Sequence, residues 1–458
     1  MLSRAIKRAL PFILIAATNL VLDFLFPKAQ KIIYAPYDVL FLAAISYVIT
    51  YYQRNKYNIL ISRFWIVFFF LGIMNMNSVI LYDKTWDVDI RGASLLYFLN
   101  IIIFNASLLF FERRGDFVPK RLTVNSYSFL KNRILVVIML IFPFLLIITL
   151  YKSVGFLPIL SGASFVDEMY NYNYGPLYGY KFICVYGFLM TICYIKLKKY
   201  RSINLALAIV ILLITSVDGK RFILFICLLA YLPLNDYLNR ITKPGTKTSY
   251  TPLIIVSSVI LLVYVSVLAI RLGNNNVNEW IGLFIEKIPF GVEFKDYAYS
   301  FEKFNATTIQ DYDFWQSNIG AFFNSGLLNF LGYDKEALTH MGSAYVWMKA
   351  YNIDFGIRTG IISELYFAHG IFGSAFMVLL AYFVNRTSVR LIRPTSIFNL
   401  IQHCILYALY ILIINGQATV FFGCLSMMLY VYLLKWIIEP NRNKKRNGFY
   451  HNTRIQPS

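Results

Sequence analysis

MGSAYVWMKAYNIDFGIRTGIISELYFAHGIFG, residues 341–373, begins as a polar, aromatic-rich loop and ends inside an apolar helix. Arg358, Thr359 and Gly360 come first, then Glu364, then His369. A cation, a carboxylate and an imidazole at the mouth of a membrane helix are costly, and ionisable groups there default to a functional role. Thr359 is placed to cap the helix. In a regular helix from 360 onward, Gly360 and Glu364 share a face one turn apart. His369 then lies about 140° around the axis from Glu364, so the two reach one small atom only if the helix is broken. Glu364 reads as a general base, as an acceptor orienting Arg358, or as half of an ion pair within the bundle. His369 reads as a second candidate base or as a satisfied core histidine.

Outward from this stretch the chain is mostly greasy. Of 458 residues, 58% are hydrophobic, and long apolar runs recur. Runs of about 18 residues or more are the signature of membrane-spanning helices. The expected fold is therefore all-α: one polytopic membrane domain over 1–458 with about twelve transmembrane helices. They are expected at 9–26, 33–52, 64–82, 92–111, 134–151, 177–195, 203–217, 222–237, 252–270, 360–384, 397–415 and 418–436. The runs 203–217 and 222–237 are short and call for tilt or local thinning of the bilayer. The first run, after MLSRAIKR, resembles a signal peptide, but it lacks a small-residue cleavage site and more spans follow.

A formal net charge of +20 would suit nucleic acid if it were clustered. Instead the 43 Lys and Arg fall mostly in short blocks between apolar runs, the positive-inside pattern. The short loops place both termini in the cytoplasm, with the basic tail 437–458, and put 152–176, 218–221 and the long loop 271–359 on the outer side. That loop is too long to be a mere connector. Its amphipathic runs suggest short helices at the membrane surface. The five cysteines lie inside apolar runs with no CxxC and read as small core residues.

Three further outer features carry chemistry. Asp218–Phe222, DGKRF, is a tight turn with Lys220 and Arg221 side by side, against the orientation rule. It reads as a clamp for an anionic group such as a phosphate, or as an exposed turn with snorkelling cations. Arg271 heads the long loop and reads as a site residue or an interface anchor. The loop 155–180 combines Asp167, Glu168 and Tyr170 with a dense set of Tyr and Asn. Such residues suit sugars, because ring faces stack on apolar sugar faces and amides and acids meet hydroxyls. An interfacial aromatic belt has the same composition. No P-loop or GxGxxG points to nucleotide chemistry, no HExxH or His/Cys cluster to a metal, and no GxSxG to hydrolysis.

Taken together, Gly-Phe-Leu-Pro158-Ile-Leu-Ser-Gly, Gly219-Lys-Arg221, Arg271, Ser343-x-Tyr345-x-Trp347, Gly356-x-Arg358-x-Gly360 and Gly370-x-x-Gly373 resemble the Wzy-type O-antigen and oligosaccharide repeat-unit polymerases. The architectural resemblance covers nearly the whole chain. It implies a glycosyltransferase of the bacterial cytoplasmic (inner) membrane, acting in lipopolysaccharide or related polysaccharide biosynthesis. Its substrate would be undecaprenyl-diphosphate-linked oligosaccharide, handled at the membrane lipid on the periplasmic side, with no metal or cofactor and with a chain-length regulator as partner protein. By motif, the family's essential outer-loop arginines map to Arg221, Arg271 and Arg358. Lys220, where a small residue is common, departs from the pattern. Tyr345 and Trp347 join Lys220, Asp167, Glu168 and Tyr170 as expected substrate-binding residues. An O-antigen ligase, or a flippase of the same lipid-linked unit, would share much of this architecture; a transporter is expected to show two matched halves, which this chain lacks.

Overall fold

The computed structural model describes residues 128–157, 177–197, 201–217, 222–242, 312–346, 360–413 and 418–438, with a few positions omitted, and scattered positions within 96–122 and at 258. Every regular element among the described residues is helical. α1 is Arg133–Val154, α2 Ile183–Lys196, α3 Arg201–Ser216 and α4 Phe222–Thr242. Three short helices follow: α5 Phe314–Phe322, α6 Ser325–Phe330 and α7 Lys335–His340. Then come α8 Gly360–His369, a 3-10 segment Gly370–Ala375, α9 Phe376–Ile392, α10 Ile397–Leu412 and α11 Ala418–Ile438.

α1 shows how local sequence sets a membrane helix. The Asn132 side chain accepts from the backbone N–H of Ile134 and Leu135, satisfying donors that a helix start leaves open. Gly155, at φ 85, closes the other end in the left-handed region that glycine favours, and its N–H donates to Tyr151 O. Between the caps the helix is apolar all round. Leu135, Met139, Phe142 and Leu146 face inward, while Ile134, Val137, Ile141, Phe144, Leu145 and Ile148 are exposed. An apolar outer face of this length belongs against lipid, since in water it would be a large unpaid exposure. α3, α9 and α11 carry similar exposed apolar residues.

Among the described residues, four helical runs are long and apolar enough to cross a membrane: Arg133–Val154, Phe222–Ile241, Gly360–Ile392 and Ala418–Ile438. α2, α3 and α10 are apolar but shorter. The protein is thus a helical membrane protein. α4 is longer than its expected span 222–237, reaching Thr242 through an internal Pro233. The expected spans 9–26, 33–52, 64–82 and 252–270 lie outside the described residues or nearly so.

The core runs between α1, α2, α4 and α10. Phe129, Tyr186 and Phe398 are almost fully buried, with the Phe398 ring 4.9 Å from Phe129 and stacked at 6.4 Å on Tyr186. Gly187 lets α1 and α2 close up: a Cβ there would sit 2.5 Å from Met139 O.

The helices alternate in direction and so define two ends. At one end, Tyr194 Oη donates to Leu130 O, Lys196 Nζ donates to Asn239 Oδ1, and Lys435 lies over the Phe398 ring. Lys131, Arg133, Arg240, Arg390 and Arg393 fall near the helix termini of this end. At the opposite end, the closing turns of α1 and α3 pack through Leu150 and Val217, with Tyr178 alongside. α4, α8 and α11 begin there.

Candidate functional site

Glu364 sits in α8 at the end away from the basic cluster, and only 3% of it is exposed. Its first carboxylate oxygen accepts from Ser343 Oγ at 2.5 Å, and its second accepts from the backbone N–H of Ala418 at 2.8 Å. Its backbone oxygen accepts from Tyr312 Oη at 3.2 Å. One residue therefore ties together three segments: the approach to α5, the chain after α7, and the first residue of α11. Burying a carboxylate is tolerable only when its oxygens are met by donors, as here. The donor from Ala418 is one of the open N–H groups at the start of α11, where the helix dipole also favours negative charge. Burial, then the nearby Glu364 and Asp313 charges, push the Tyr312 phenol well above its usual value, which keeps it a donor.

α8 is bounded by two glycines in left-handed conformation, Gly360 at φ 75 and Gly370 at φ 58. Ile361 N–H donates to Ile413 O at 3.4 Å, joining the start of α8 to the end of α10. Beyond Gly370 the 3-10 segment folds close upon α8, and a Cβ on Gly373 would meet Leu365 O at 2.3 Å. The expected span 360–384 falls within the run Gly360–Ile392, which consists of a helix, a tight break and a second helix. Residue 370 cannot continue α8 in its left-handed conformation, and Gly373 is needed for the close approach.

Both candidate bases lie on α8, ahead of the break, in different surroundings. His369 closes α8 and enters a box of rings: stacked on Phe376 at 5.4 Å, tilted to Trp315 at 5.7 Å and edge-on to Phe314 at 6.1 Å. Its Nε2 is buried and has no hydrogen-bond partner among the described residues. Glu364, by contrast, has both oxygens engaged.

Tyr345 is partly exposed, with its ring 4.5 Å from His340. Lys220, Arg221, Arg271, Arg358, Asp167, Glu168, Tyr170, Trp347 and the Thr359 cap lie outside the described residues. The helix ends that flank 218–221, Ser216 of α3 and Phe222 of α4, lie at the same end of the bundle as Glu364. Among the described residues no group of three or more His, Cys, Asp or Glu side chains is placed to hold a metal ion.

Sequence reading did not select Ser343 as a partner of Glu364, nor Tyr312, Trp315 or Ala418. Ser343 carries a signal, since it opens the Ser-x-Tyr-x-Trp motif. A backbone N–H such as that of Ala418 carries none. The amphipathic runs 280–294 and 293–304, where surface helices were expected, lie outside the described residues; the described part of 271–359 forms α5, α6 and α7, and α5 packs along α11 with Ala321 O near Gly423. No protein-family model, no curated protein and no solved structure matches this chain.

Proposed function

We propose that this chain is a polymerase that joins undecaprenyl-diphosphate-linked oligosaccharide repeat units on the periplasmic face of a bacterial inner membrane. In this reading it spans the membrane about twelve times, both termini are cytoplasmic, and 271–359 is periplasmic. The supporting observation is the convergence at one end of the bundle. There Glu364 is buried with both carboxylate oxygens hydrogen-bonded, His369 keeps a ring nitrogen unpaired among the described residues, and the helices flanking Lys220 and Arg221 terminate. Of the motif residues, Ser343 donates through Oγ to Glu364, and Gly360 opens α8.

The chemistry is glycosyl transfer. A hydroxyl of the acceptor sugar attacks the anomeric carbon of the donor. The new C–O bond forms as the bond to the lipid diphosphate breaks, with inversion at that carbon. Negative charge spreads onto phosphate oxygens, and fixed cations stabilise it. Lys220, Arg221, Arg271 and Arg358 fill that role. The hydroxyl proton passes to a base whose acceptor atom is unengaged, which favours His369 over Glu364. Glu364 is then a positioning residue that fixes Ser343 and the start of α11 around the site. Asp167, Glu168, Tyr170, Tyr345 and Trp347 hold sugar rings.

The test is a gel of surface polysaccharide from a bacterial strain deleted for the gene, with and without the gene restored. The expected result is collapse of the long ladder to core plus one repeat unit. Loss of every repeat, including the single one, overturns the polymerase reading in favour of a ligase or a flippase of the same lipid-linked unit. Arg221→Ala and Arg358→Ala variants, at normal expression, are expected to reproduce the collapse.

A further inference from the structure

Residues 313–341 form a helical hairpin. α5 and α7 run antiparallel: Asp313 N–H donates to Met341 O at 3.1 Å, and a Cβ on Gly320 would meet Leu338 Cβ at 2.8 Å. Against α11, however, α5 runs parallel. Gly342 lies between Ser317 and Thr419, and Gly423 lies beside Ala321 O. The hairpin therefore starts at the N-terminal end of α11 and advances along it. Ala321 is abreast of Gly423, about 8 Å along the helix from Ala418. α11 is a helix long and apolar enough to cross a membrane.

The tip of the hairpin is apolar and uncovered. Phe330 is 85% exposed, Leu331 54% and Tyr333 56%. Leu328, almost fully buried, anchors the tip from inside, and Gly332 at φ 82 turns it. Lys335 Nζ donates to Phe323 O at 3.0 Å and closes its base. On the descending arm, Trp315 and Ile319 share one exposed face a helical turn apart. Asp334 and Glu336 follow the tip directly and are exposed, which excludes the bilayer midplane.

We infer that 313–341 is a membrane-inserted hairpin: its tip, Phe330, Leu331 and Tyr333, is seated in the headgroup–acyl boundary of the leaflet at the N-terminal end of α11. The depth reached along α11, the apolar tip and the adjacent exposed charges all set it at that boundary, where amphipathic segments bury one side by about 5–10 Å. The occupant of this face is lipid. The loop 271–359 is then not wholly outside the membrane. The inference is independent of the proposed catalytic activity.

Single cysteines at 330, 331 and 336, made as Phe330→Cys, Leu331→Cys and Glu336→Cys, test this in the full chain. Val137→Cys on the exposed face of α1 gives the lipid-facing reference. Cys184, Cys193, Cys227, Cys404 and Cys424 are all buried, so background labelling is low. Each variant carries a nitroxide in vesicles of phosphatidylethanolamine and phosphatidylglycerol. Relaxation by oxygen is compared with relaxation by a water-soluble nickel chelate. The expected ratio of oxygen to nickel accessibility at 330 and 331 is several-fold above that at 336 and approaches that at 137. Ratios at 330 and 331 equal to that at 336 overturn the proposal. So does strong dipolar broadening between labels at 330, which would mean that a second copy covers the tip. All four substitutions fall at exposed positions, and a thermal-unfolding trace matching the unsubstituted chain shows that each variant is folded.

Discussion

α1 and the run Gly360–Ile392 are both apolar and both long enough to cross a membrane, yet they are built on opposite principles. α1 runs from an Asn132 cap to a Gly155 cap as one α-helix, and its only internal irregularity is Pro143, which leaves the Met139 carbonyl without its usual helix donor. Gly360–Ile392 is interrupted by a left-handed glycine and a 3-10 segment, and it carries a buried carboxylate. Each interruption frees backbone groups and each charge demands donors, and this run draws on distant segments for them: Ser343, Tyr312, Ile413 and Ala418. The lesson is that apolar composition alone produces a frame, whereas broken geometry tied together by polar anchors marks the part proposed to carry the chemistry.

The sharpest way to break this comparison is Glu364→Ala. It leaves Ser343 Oγ and Ala418 N–H buried without their acceptor, and the expected loss is about 2–4 kcal/mol with loss of polymer. Thermal unfolding in detergent and the polysaccharide ladder read the two effects. Glu364→Gln keeps an acceptor for one partner and is expected to recover part of the stability. If Glu364→Ala unfolds like the unsubstituted chain, the anchoring account is wrong.

Next comes Gly373→Ala. Its Cβ would meet Leu365 O, a backbone atom that cannot swing away, so a cost of about 1–3 kcal/mol is expected. Gly187→Ala, which would meet Met139 O, is expected to cost a similar amount. The two differ in readout. Gly187→Ala is expected to lower stability while the activity per folded molecule holds, and Gly373→Ala to lower both. Equal activity per folded molecule in both variants removes the distinction between frame and site.

His369→Phe sharpens the comparison at smaller structural cost. A ring remains to stack on Phe376 and Trp315, so thermal unfolding is expected to shift little while polymerisation falls at least tenfold, within the range of a lost general base. Full activity in His369→Phe would return the role to Glu364. The smallest effect is expected at Val137→Leu on the exposed face of α1, within about 0.5 kcal/mol, because lipid accepts either side chain.

Much of the frame was legible in the sequence. The apolar runs 134–151, 203–217, 397–415 and 418–436 are helices with bounds shifted by a few residues, because run length and composition are local properties. Asn132 and Gly155 are cap residues of standard type and could be read beside the run they close. The break at Gly370 was less legible: Gly370-x-x-Gly373 was visible as a motif, but apolar periodicity passes through it unchanged. What could not be read was the pairing of Glu364. Its partners lie 21 and 54 residues away, and one of them is a backbone N–H that every residue but proline possesses. The parallel course of α5 along α11 was hidden for the same reason. It rests on small residues, Gly342 and Gly423, whose role shows only when the two elements meet.

The bond from Ala418 N–H to Glu364 also has a bearing on biogenesis. Synthesis proceeds from the N-terminus, so Glu364 leaves the ribosome 54 residues ahead of its backbone partner. During that interval the nascent chain must shelter a carboxylate that its finished neighbours have not yet reached. α8 therefore completes its assembly only as α11 arrives. A nascent chain stalled before 418 is expected to hold α1 to α4 in place while α8 stays unsettled, a state open to capture by a membrane chaperone or protease.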